Sequence, residues 1–259
     1  MSALQLVWHQ FRFDQRVFWR VPAAVFFTVA LPVIFLFLFV TIFGNETASY
    51  EGRPVRNSTF QVPGLVTLGV VSATLVNLAI SLTIARERGV LKRLRATPLP
   101  AWAFIAGKVL TAVMVEALLV VVLVGLGRIV YGVPVPGATL PGAMLALAVG
   151  TFTFCALGFA LAALIPSEAA APPIANALVL PLYFVSGVFI PSELLPDGLQ
   201  LVGDLFPIAH LFEALVTAFV GEDAPGIAVG HLAVVLAWGL GGLAVALAGF
   251  RWSPRSRRS

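Results

Sequence analysis

The sequence predicts an all-α membrane protein with six transmembrane helices, an amphipathic helix before them and a re-entrant helical hairpin on the outer side. Hydrophobic residues make up 59% of the 259 positions and charged residues only 11%, whereas a soluble domain has about 25% charged residues. The charges are clustered, and the uncharged runs between clusters are long enough to cross a hydrocarbon core of about 30 Å. In lipid each such run must be a helix, because no water satisfies open backbone groups.

The first predicted element is an amphipathic helix over residues 1–20 that lies in the membrane interface. Its apolar residues fall on one face, while Arg12, Arg16 and Arg20 form a stripe on another. A helix of this kind lies on the bilayer with its arginines toward anionic headgroups. The alternative is a basic flank that only orients the first span. A cleavable signal peptide is not expected, because no short apolar core with a small-residue cleavage site precedes that span.

Six transmembrane helices are predicted from the uncharged runs, since each needs roughly 20 apolar residues to cross. The run between residues 129 and 167 is too long for one span, but the turn sequence GVPVPG at 132–137 divides it. The third span carries one charge far from either end, Glu116. The predicted spans are residues 21–43, 62–85, 105–128, 140–165, 169–190 and 224–250, followed by a basic cytoplasmic tail at 251–259.

The basic residues predict the orientation, since cytoplasmic loops carry an excess of Lys and Arg. With both termini in the cytoplasm, that side holds three arginines before the first span, six basic residues between 86 and 108, and four after the last span. The opposite side then keeps only Arg53, Arg56 and Arg128. The net positive charge is therefore a topology signal, and no nucleic-acid partner is expected.

Two segments between the predicted spans do not cross. Residues 86–98 are predicted to form a short cytoplasmic amphipathic helix, which ends at Thr97-Pro98 because the residue before a proline disfavours the α region. On the outer side, residues 191–222 contain two apolar stretches that are too short to cross and are interrupted by prolines. Backbone of this kind at membrane depth must be buried in protein, so a re-entrant helical hairpin is expected there.

These two segments resemble those of the ABC-2 type permeases, the membrane subunits of bacterial drug, lipid and polysaccharide exporters. The stretch ERGVLKRLRATPL at 87–99 is similar to the first intracellular loop of that family. The stretch from Ser186 to His210, with SGVFIP and FPIAH at its ends, resembles the region around spans 5 and 6. Span count, order and loop placement agree over the whole chain, and the compact first outer loop is similar to that of the short, daunorubicin-resistance-like members. Val216 departs from the Arg or Gln that the family often has there.

The resemblance implies a permease subunit of an ABC exporter in the bacterial cytoplasmic membrane, with residues 21–250 as its six-span domain. Such a subunit pairs with a second permease subunit, as a homodimer or heterodimer, and the pair docks on two copies of a cytoplasmic ABC ATPase subunit. The ATPase uses ATP and Mg²⁺ to move a hydrophobic or amphiphilic substrate, a drug or a lipid, out of the cytoplasm or inner leaflet. A polysaccharide or glycolipid exporter and a proton-coupled secondary transporter that uses Glu116 are the alternatives.

The chain itself is expected to be no enzyme and to bind no cofactor or metal. Neither of its lysines, Lys92 and Lys108, ends a phosphate-binding P-loop. No paired acids or clustered histidines are expected to converge at one membrane depth, as an active site would require. His210 and Glu213 share a helix face, but two ligands without a third are weak support for a metal.

The resemblance implies three groups of site residues, to which Glu116 is added because a carboxyl deep within a span is costly and therefore a functional candidate. Those expected to couple to the ATPase are Glu87, Arg88, Val90, Leu91, Leu94, Arg95, Thr97 and Pro98. Those expected along the substrate path are Asn77, Glu116, Asn176, Ser186 and Phe189. Those expected to form an outer gate are Pro191, Pro207, His210 and Glu213. Structural roles are the alternatives: a loop held at the inner leaflet by its charges, a hydrogen-bonded Glu116, helix–helix hydrogen bonds from the asparagines, and ordinary polar residues of the interface.

Overall fold

The computed structural model describes residues 3–50, 53–95, 100–189, 195–221 and 224–249. Most of the chain within those ranges is helical. The α-helices there are α1 Ala3–Trp19, α2 Pro22–Val25, α3 Leu31–Phe43, α4 Asn57–Val71, α5 Asn77–Glu87, α6 Val90–Arg95, α7 Ala101–Tyr131, α8 Leu140–Leu164, α9 Ala171–Val185, α10 Asp197–Leu205, α11 Pro207–Val220 and α12 Val229–Gly249. Two π-helical turns, Phe26–Ala30 and Ser72–Val76, join α2 to α3 and α4 to α5.

Four helices of the described residues are long and apolar enough to cross a membrane, which makes this an all-α membrane protein in its main architecture. They are Asn57–Glu87, formed by α4, its π-turn and α5 together, Trp102–Tyr131, Leu140–Leu164 and Val229–Gly249. The number rises to five if α10 and α11, which are bent by 88° at their junction, are counted as one span.

The predicted spans at 21–43 and 169–190 contain shorter apolar helices, Phe26–Ile42 and Ala171–Val185. At 1.5 Å per residue, α9 rises about 22 Å, which is less than the roughly 30 Å of a hydrocarbon core. The helix ends at Val185, and Gly187 then adopts a φ of 79°, a left-handed conformation that costs glycine little. The described helix is therefore shorter than the predicted span, because lack of charge does not mark where a helix ends.

The loop between α3 and α4 contains a feature that the prediction of an all-α protein missed. Two short strands, β1 (Thr47–Tyr50) and β2 (Arg53–Arg56), pair in an antiparallel hairpin. The side-chain amide of Asn57 donates a hydrogen bond to the carbonyl oxygen of Gly44 at 2.9 Å, which closes the loop where α4 begins. The fold is therefore a helical bundle that also carries a small β-hairpin between its first helices.

The helix formed by α4, its π-turn and α5 is the centre of the bundle. Its spanning window is 72% buried, against 22% for α12. α3, α7, α8 and α11 all pack on it, and core residues such as Leu65, Val70 and Leu82 are at most 1% exposed. Because four other helices pack on it, this helix is the frame on which the others are positioned.

α10 and α11 occupy the segment for which a re-entrant hairpin is predicted. Phe206 has an extended backbone between them, and Pro207 opens α11, at the helical position where its missing N–H is no loss. α11 is buried along most of its length and packs on α4, α8 and α12. α10, in contrast, exposes Leu201 and Leu205. The pair thus has one helix inside the bundle and one apolar helix on its surface.

Candidate functional site

The end of the bundle that carries α6, called the α6 end below, is built around a buried arginine. Arg86 lies in the last turn of α5 and is 1% exposed. Its guanidinium donates hydrogen bonds to the carbonyl oxygens of Ala162 and Ile165, both at 2.6 Å, and to the Glu87 carboxylate at 2.7 Å. The last carbonyls of a helix have no partner within it and carry partial negative charge, so a cation is stabilised there. Arg86 thereby fixes the end of α5 to the end of α8.

An exposed ion pair joins the same two helix ends. Arg88 pairs with Glu168, in the turn between α8 and α9, and its Nε lies 3.0 Å from both carboxylate oxygens. The hydrogen bond from Arg88 holds the pKa of Glu168 below its usual range, and the same pairing raises the pKa of Arg88. Exposed ion pairs contribute little to stability, so this one acts mainly as a geometric restraint on the residues that lead into α6.

α6 presents one face to the bundle and another to solvent. Leu91 is completely buried in a cluster that includes Phe104, so its side chain packs on the bundle, and its contact with the ATPase stays a prediction. An amphipathic pattern marks apolar residues but does not distinguish burial against the chain itself from burial against a partner. Val90 is 38% exposed, and the neighbouring Lys92 and Arg93 are exposed. Among the described side chains of α6, the surface that it offers is therefore the apolar Val90 bordered by basic residues.

Part of the predicted coupling segment lies outside the described residues. This holds for Thr97 and Pro98 as a whole and for the side chains of Leu94 and Arg95. The described part begins with Glu87, which is bound to Arg86, and turns into α6 at Gly89. Gly89 has a φ of 70°, so the sharp turn depends on a residue without a Cβ.

α1 is fastened to the start of α7, next to α6. Lys108 and Gln10 both donate hydrogen bonds to the Asp14 carboxylate, at 2.8 and 2.9 Å. A Cβ added at Gly107 would lie 2.5 Å from the Gln10 side chain, so the two helices approach closely there. The arginines of α1 predict its position at the interface but not the buried Asp14–Lys108 pair, although an acid within a basic segment was a usable signal. α1, α5, α6, α7 and α8 are thus tied together at the α6 end.

The residues predicted along the substrate path do not gather at one point. Asn77 is half-buried directly after the π-turn of the central helix. Asn176 is exposed on α9, and its amide donates to the Pro172 carbonyl oxygen of its own helix at 2.9 Å. Ser186 is buried and donates to the Tyr183 carbonyl oxygen at 3.2 Å. Each of the last two is hydrogen-bonded locally, and neither reaches another helix through these bonds.

Phe189 lies at the centre of an aromatic cluster between α3 and α9. Its ring centroid is 5.2 to 5.9 Å from those of Phe35, Phe39, Tyr183 and Phe184. Aromatic rings at such distances attract each other beyond the area that they bury. The sequence indicated Phe189 through the family resemblance alone, because Phe35 and Phe39 are distant in sequence and Phe184 is one of twenty phenylalanines.

Tyr183 connects this cluster to the central helix. Its hydroxyl donates to the carbonyl oxygen of Leu68 at 3.1 Å and lies 3.3 Å from the hydroxyl of Ser72. Ser72 opens the second π-turn, and π-turns within α-helices are frequent at functional sites. This contact could not be predicted from the sequence, since neither a π-turn nor a tyrosine that hydrogen-bonds to one has a recognisable pattern.

The predicted outer gate is held to α12 by histidines. His210 Nδ1 lies 2.9 Å from Nδ1 of His231, and its Nε2 lies 2.8 Å from the Asp204 carbonyl oxygen. Pro207 and a half-buried Glu213 lie on the same helix, α11, whereas Pro191 is outside the described residues. No group of three or more potential metal ligands occurs in the described part of the chain. This arrangement fixes α11 against α12 through side chains.

Glu116 lies in the middle of α7 and is 5% exposed. The Thr151 hydroxyl of α8 donates a hydrogen bond to its Oε2 at 2.6 Å. This contact gives the carboxyl a partner on a neighbouring helix, as the structural interpretation of Glu116 requires. The carboxyl also forms part of the wall of a groove between α7 and α8, so it borders this groove as well as the side chains that bury it.

Comparison with known proteins agrees with this architecture. The family model described as "ABC-2 type transporter" matches residues 4–220. The inner membrane transport permease YadH of Escherichia coli K12 is 30% identical over 206 residues, 76% of this chain and 78% of the relative. The daunorubicin resistance ABC transporter permease protein DrrB1 of Streptomyces coeruleorubidus is 32% identical over 73% of this chain and 66% of its own length. The putative transport permease YvfS of Bacillus subtilis is 22% identical over 72% and 74%.

Proposed function

This chain belongs to the ABC-2 type transporter family, and we propose that it exports a hydrophobic or amphiphilic molecule, a drug or a lipid, from the cytoplasm or the inner leaflet. As a member of the family it is the membrane permease subunit of an ABC transporter, a multi-pass protein of the cytoplasmic membrane that works with an ABC ATPase. The similarity to a permease named for daunorubicin resistance supports a drug as the substrate. The apolar spans and twenty phenylalanines support an amphiphile that enters from the bilayer.

We propose six spans with both termini in the cytoplasm. Four long helices, together with Phe26–Ile42 and Ala171–Val185, supply six apolar segments. The α10–α11 pair, bent by 88°, would then be a re-entrant hairpin on the outer side. The excess of basic residues at the α6 end supports its placement in the cytoplasm, because the positive-inside rule counts Lys and Arg close to the spans.

We propose that α6 couples this subunit to the ATPase, in a complex of two permease and two ATPase subunits. The observation that carries the proposal is the buried Arg86, which joins the end of α5 to the end of α8. A force applied to α6 would therefore move both spans as one body rather than bend a loop, which is how small shifts at an interface become larger movements. ATP and Mg²⁺ bound at the ATPase would supply the energy, and Val90 with its basic neighbours would receive the movement.

The face of α9 supports a path or partner on its side of the bundle. Leu178, Leu180 and Phe184 are between 45% and 51% exposed, and α9 packs on fewer helices than α4 does. A short, weakly packed helix with an apolar surface suits contact with a second permease subunit and with the substrate. Asn77, Asn176, Ser186 and Phe189 would lie beside that path, and Pro207, His210 and Glu213 near its outer end.

The test of coupling is ATP-driven export by the reconstituted complex. The permease would be co-expressed with its ABC ATPase subunit, reconstituted in liposomes, and assayed for ATP hydrolysis and for export of a fluorescent lipid and of daunorubicin. Val90→Asp should abolish export and co-purification of the ATPase while the permease still inserts. Val135→Asp is the matched control, because Val135 is 51% exposed in the α7–α8 connection, far from α6 in the fold. Export by Val90→Asp at the rate of the wild type would contradict the assignment of α6.

A further inference from the structure

A groove of about 740 Å³ opens between α7 and α8, with Leu243 of α12 at its edge. α8 packs along its length on α12 but only sparsely on α7, which leaves this space between them. The volume is within the range of about 300–1,000 Å³ that is typical of ligand pockets. Its rims are apolar and open to the side, with Val121 69% and Met144 63% exposed. A molecule dissolved in the bilayer can therefore enter the groove without passing through water.

One acidic group faces this apolar space. The Thr151 hydroxyl lies 2.6 Å from Glu116 Oε2 and also 2.6 Å from the Leu147 carbonyl oxygen. A hydroxyl has one hydrogen, so it satisfies one of those acceptors at a time. The Glu116 carboxyl therefore keeps accepting capacity toward the groove. Among the described residues that line the groove, none is basic, so the wall itself offers no counter-charge.

The depth of Glu116 in the membrane limits which molecules can bind beside it in the groove. It is the central residue of α7, Ala101–Tyr131, so about 22 Å of helix separates it from either end. A lone carboxyl at that depth is costly unless it is neutralised or paired. The headgroups of bilayer lipids lie at the two interfaces, about 15 Å from the centre of the hydrocarbon core. The cation that suits this position is therefore carried by a solute that is itself buried in the membrane.

We propose that the groove binds amphiphilic amines, with the hydrocarbon part along α7 and α8 and the ammonium group against Glu116. This inference rests on the proposed export function, because it names a class of substrate for it. Apolar walls give a hydrocarbon chain no advantage over lipid, so selectivity must come from the charge. A charge-assisted hydrogen bond in a medium of low dielectric constant is about twice as strong as a neutral one.

The test measures binding to the full-length chain alone, without ATP or an ATPase. The chain would be placed in nanodiscs of phosphatidylcholine and phosphatidylglycerol, whose headgroups carry no primary amine. Radiolabelled dodecylamine is the probe and dodecanol is its uncharged counterpart, with partition into empty nanodiscs subtracted. Glu116→Gln keeps the shape of the side chain and removes its charge. We expect it to raise the Kd for dodecylamine about tenfold or more, which corresponds to one strong charged contact, and to leave dodecanol unaffected.

Two further variants test the place of binding. Ala148→Phe fills the groove from α8 and should weaken dodecylamine binding as strongly as Glu116→Gln does. Ala177→Phe adds the same ring to the exposed surface of α9 and should change nothing. Both alanines are exposed in the described chain, and gel filtration checks the folding and oligomeric state of each variant.

Three binding results would overturn the proposal: no saturable dodecylamine binding by the wild type, equal dodecylamine binding by Glu116→Gln, or equal weakening of dodecanol binding by that variant. Loss of a permease dimer in Ala148→Phe would also overturn it and assign the groove to a second subunit. Binding and export are measured separately, so the absence of amine binding would leave the result of the export assay unaffected. Loss of ATP-driven export with intact amine binding would instead refute the proposed function.

Discussion

Arg86 and Glu116 are both buried charges on membrane-spanning helices, yet their surroundings differ. Arg86 donates three hydrogen bonds, two of them to the backbone of α8 and one to a carboxylate. Glu116 receives one hydrogen bond, from a hydroxyl that has a second acceptor within reach. The first group is enclosed by partners of the chain, whereas the second borders a groove.

This difference indicates two roles that a charged side chain can have within a membrane protein. A charge whose partners are all fixed in the chain makes that part of the structure rigid, because moving it would leave buried polar groups without partners. A charge with unused bonding capacity beside a cavity is costly in the empty protein and becomes favourable when a ligand supplies the missing partner. The α6 end suits transmission of force, and the middle of α7 suits recognition.

The largest loss of stability is expected from Arg86→Ala, which tests the structural role of Arg86. It would leave two carbonyl oxygens of α8 and the Glu87 carboxylate without their donor, which we expect to cost about 3–5 kcal/mol of stability. Arg86→Lys should recover part of that, since an ammonium is a point charge and does not bridge two carbonyls as a guanidinium does. The measurement is the thermal unfolding of the purified chain in detergent. Arg93→Ala, at an exposed position on α6, is the control. If the two alanine variants had the same melting temperature, the structural role of Arg86 would be refuted.

Leu91→Ala tests whether the α6 end is also held together by packing. Removing a completely buried leucine side chain should cost about 2–4 kcal/mol, because a cavity remains where the side chain was. Val90→Ala, one residue earlier and partly exposed, should change stability by no more than about 0.5 kcal/mol. Thermal unfolding of the purified chain in detergent compares the two variants. If the order were reversed, the two faces of α6 would be wrongly assigned, and Val90 would no longer be the residue that faces the ATPase.

The helices that could be predicted from the sequence are those on which lipid imposes a strong pattern of apolar residues. A span in lipid must be apolar for about 20 residues, so three of the four long helices coincide with uncharged runs, such as the one that contains α8, and α7 coincides with a run that carries only Glu116. Hydrogen bonds from a side chain to a distant backbone carbonyl could not be predicted. The acceptors of Arg86 lie 76 and 79 residues away, and a carbonyl oxygen has the same chemistry at every position. Only the position of Arg86 at the end of an uncharged run hinted at a constraint.

The candidate site shows the same limit. The family resemblance located the segment around α6 but did not distinguish the buried Leu91 from the exposed Val90. Glu116 stood out as an acid within a span, while its partner Thr151 is one of two threonines in α8, with no pattern to mark it. The groove beside it depends on how far α7 and α8 separate, which follows from the packing of α8 on α12 and not from any local pattern.

The smallest expected effect concerns the Glu116–Thr151 hydrogen bond. Hydrogen bonds between membrane helices contribute about 0.6 kcal/mol on average, because the unfolded chain in the membrane also finds partners. A double-mutant cycle of Thr151→Val with Glu116→Leu should therefore give a coupling energy of that order in thermal unfolding. Thr153→Val is the matched control, since Thr153 donates to the Val235 carbonyl oxygen of α12 at 2.9 Å and should not couple to Glu116. A coupling above about 2 kcal/mol would equal that of a strong charged hydrogen bond. Glu116 would then be enclosed as Arg86 is, and its availability to a ligand would be lost.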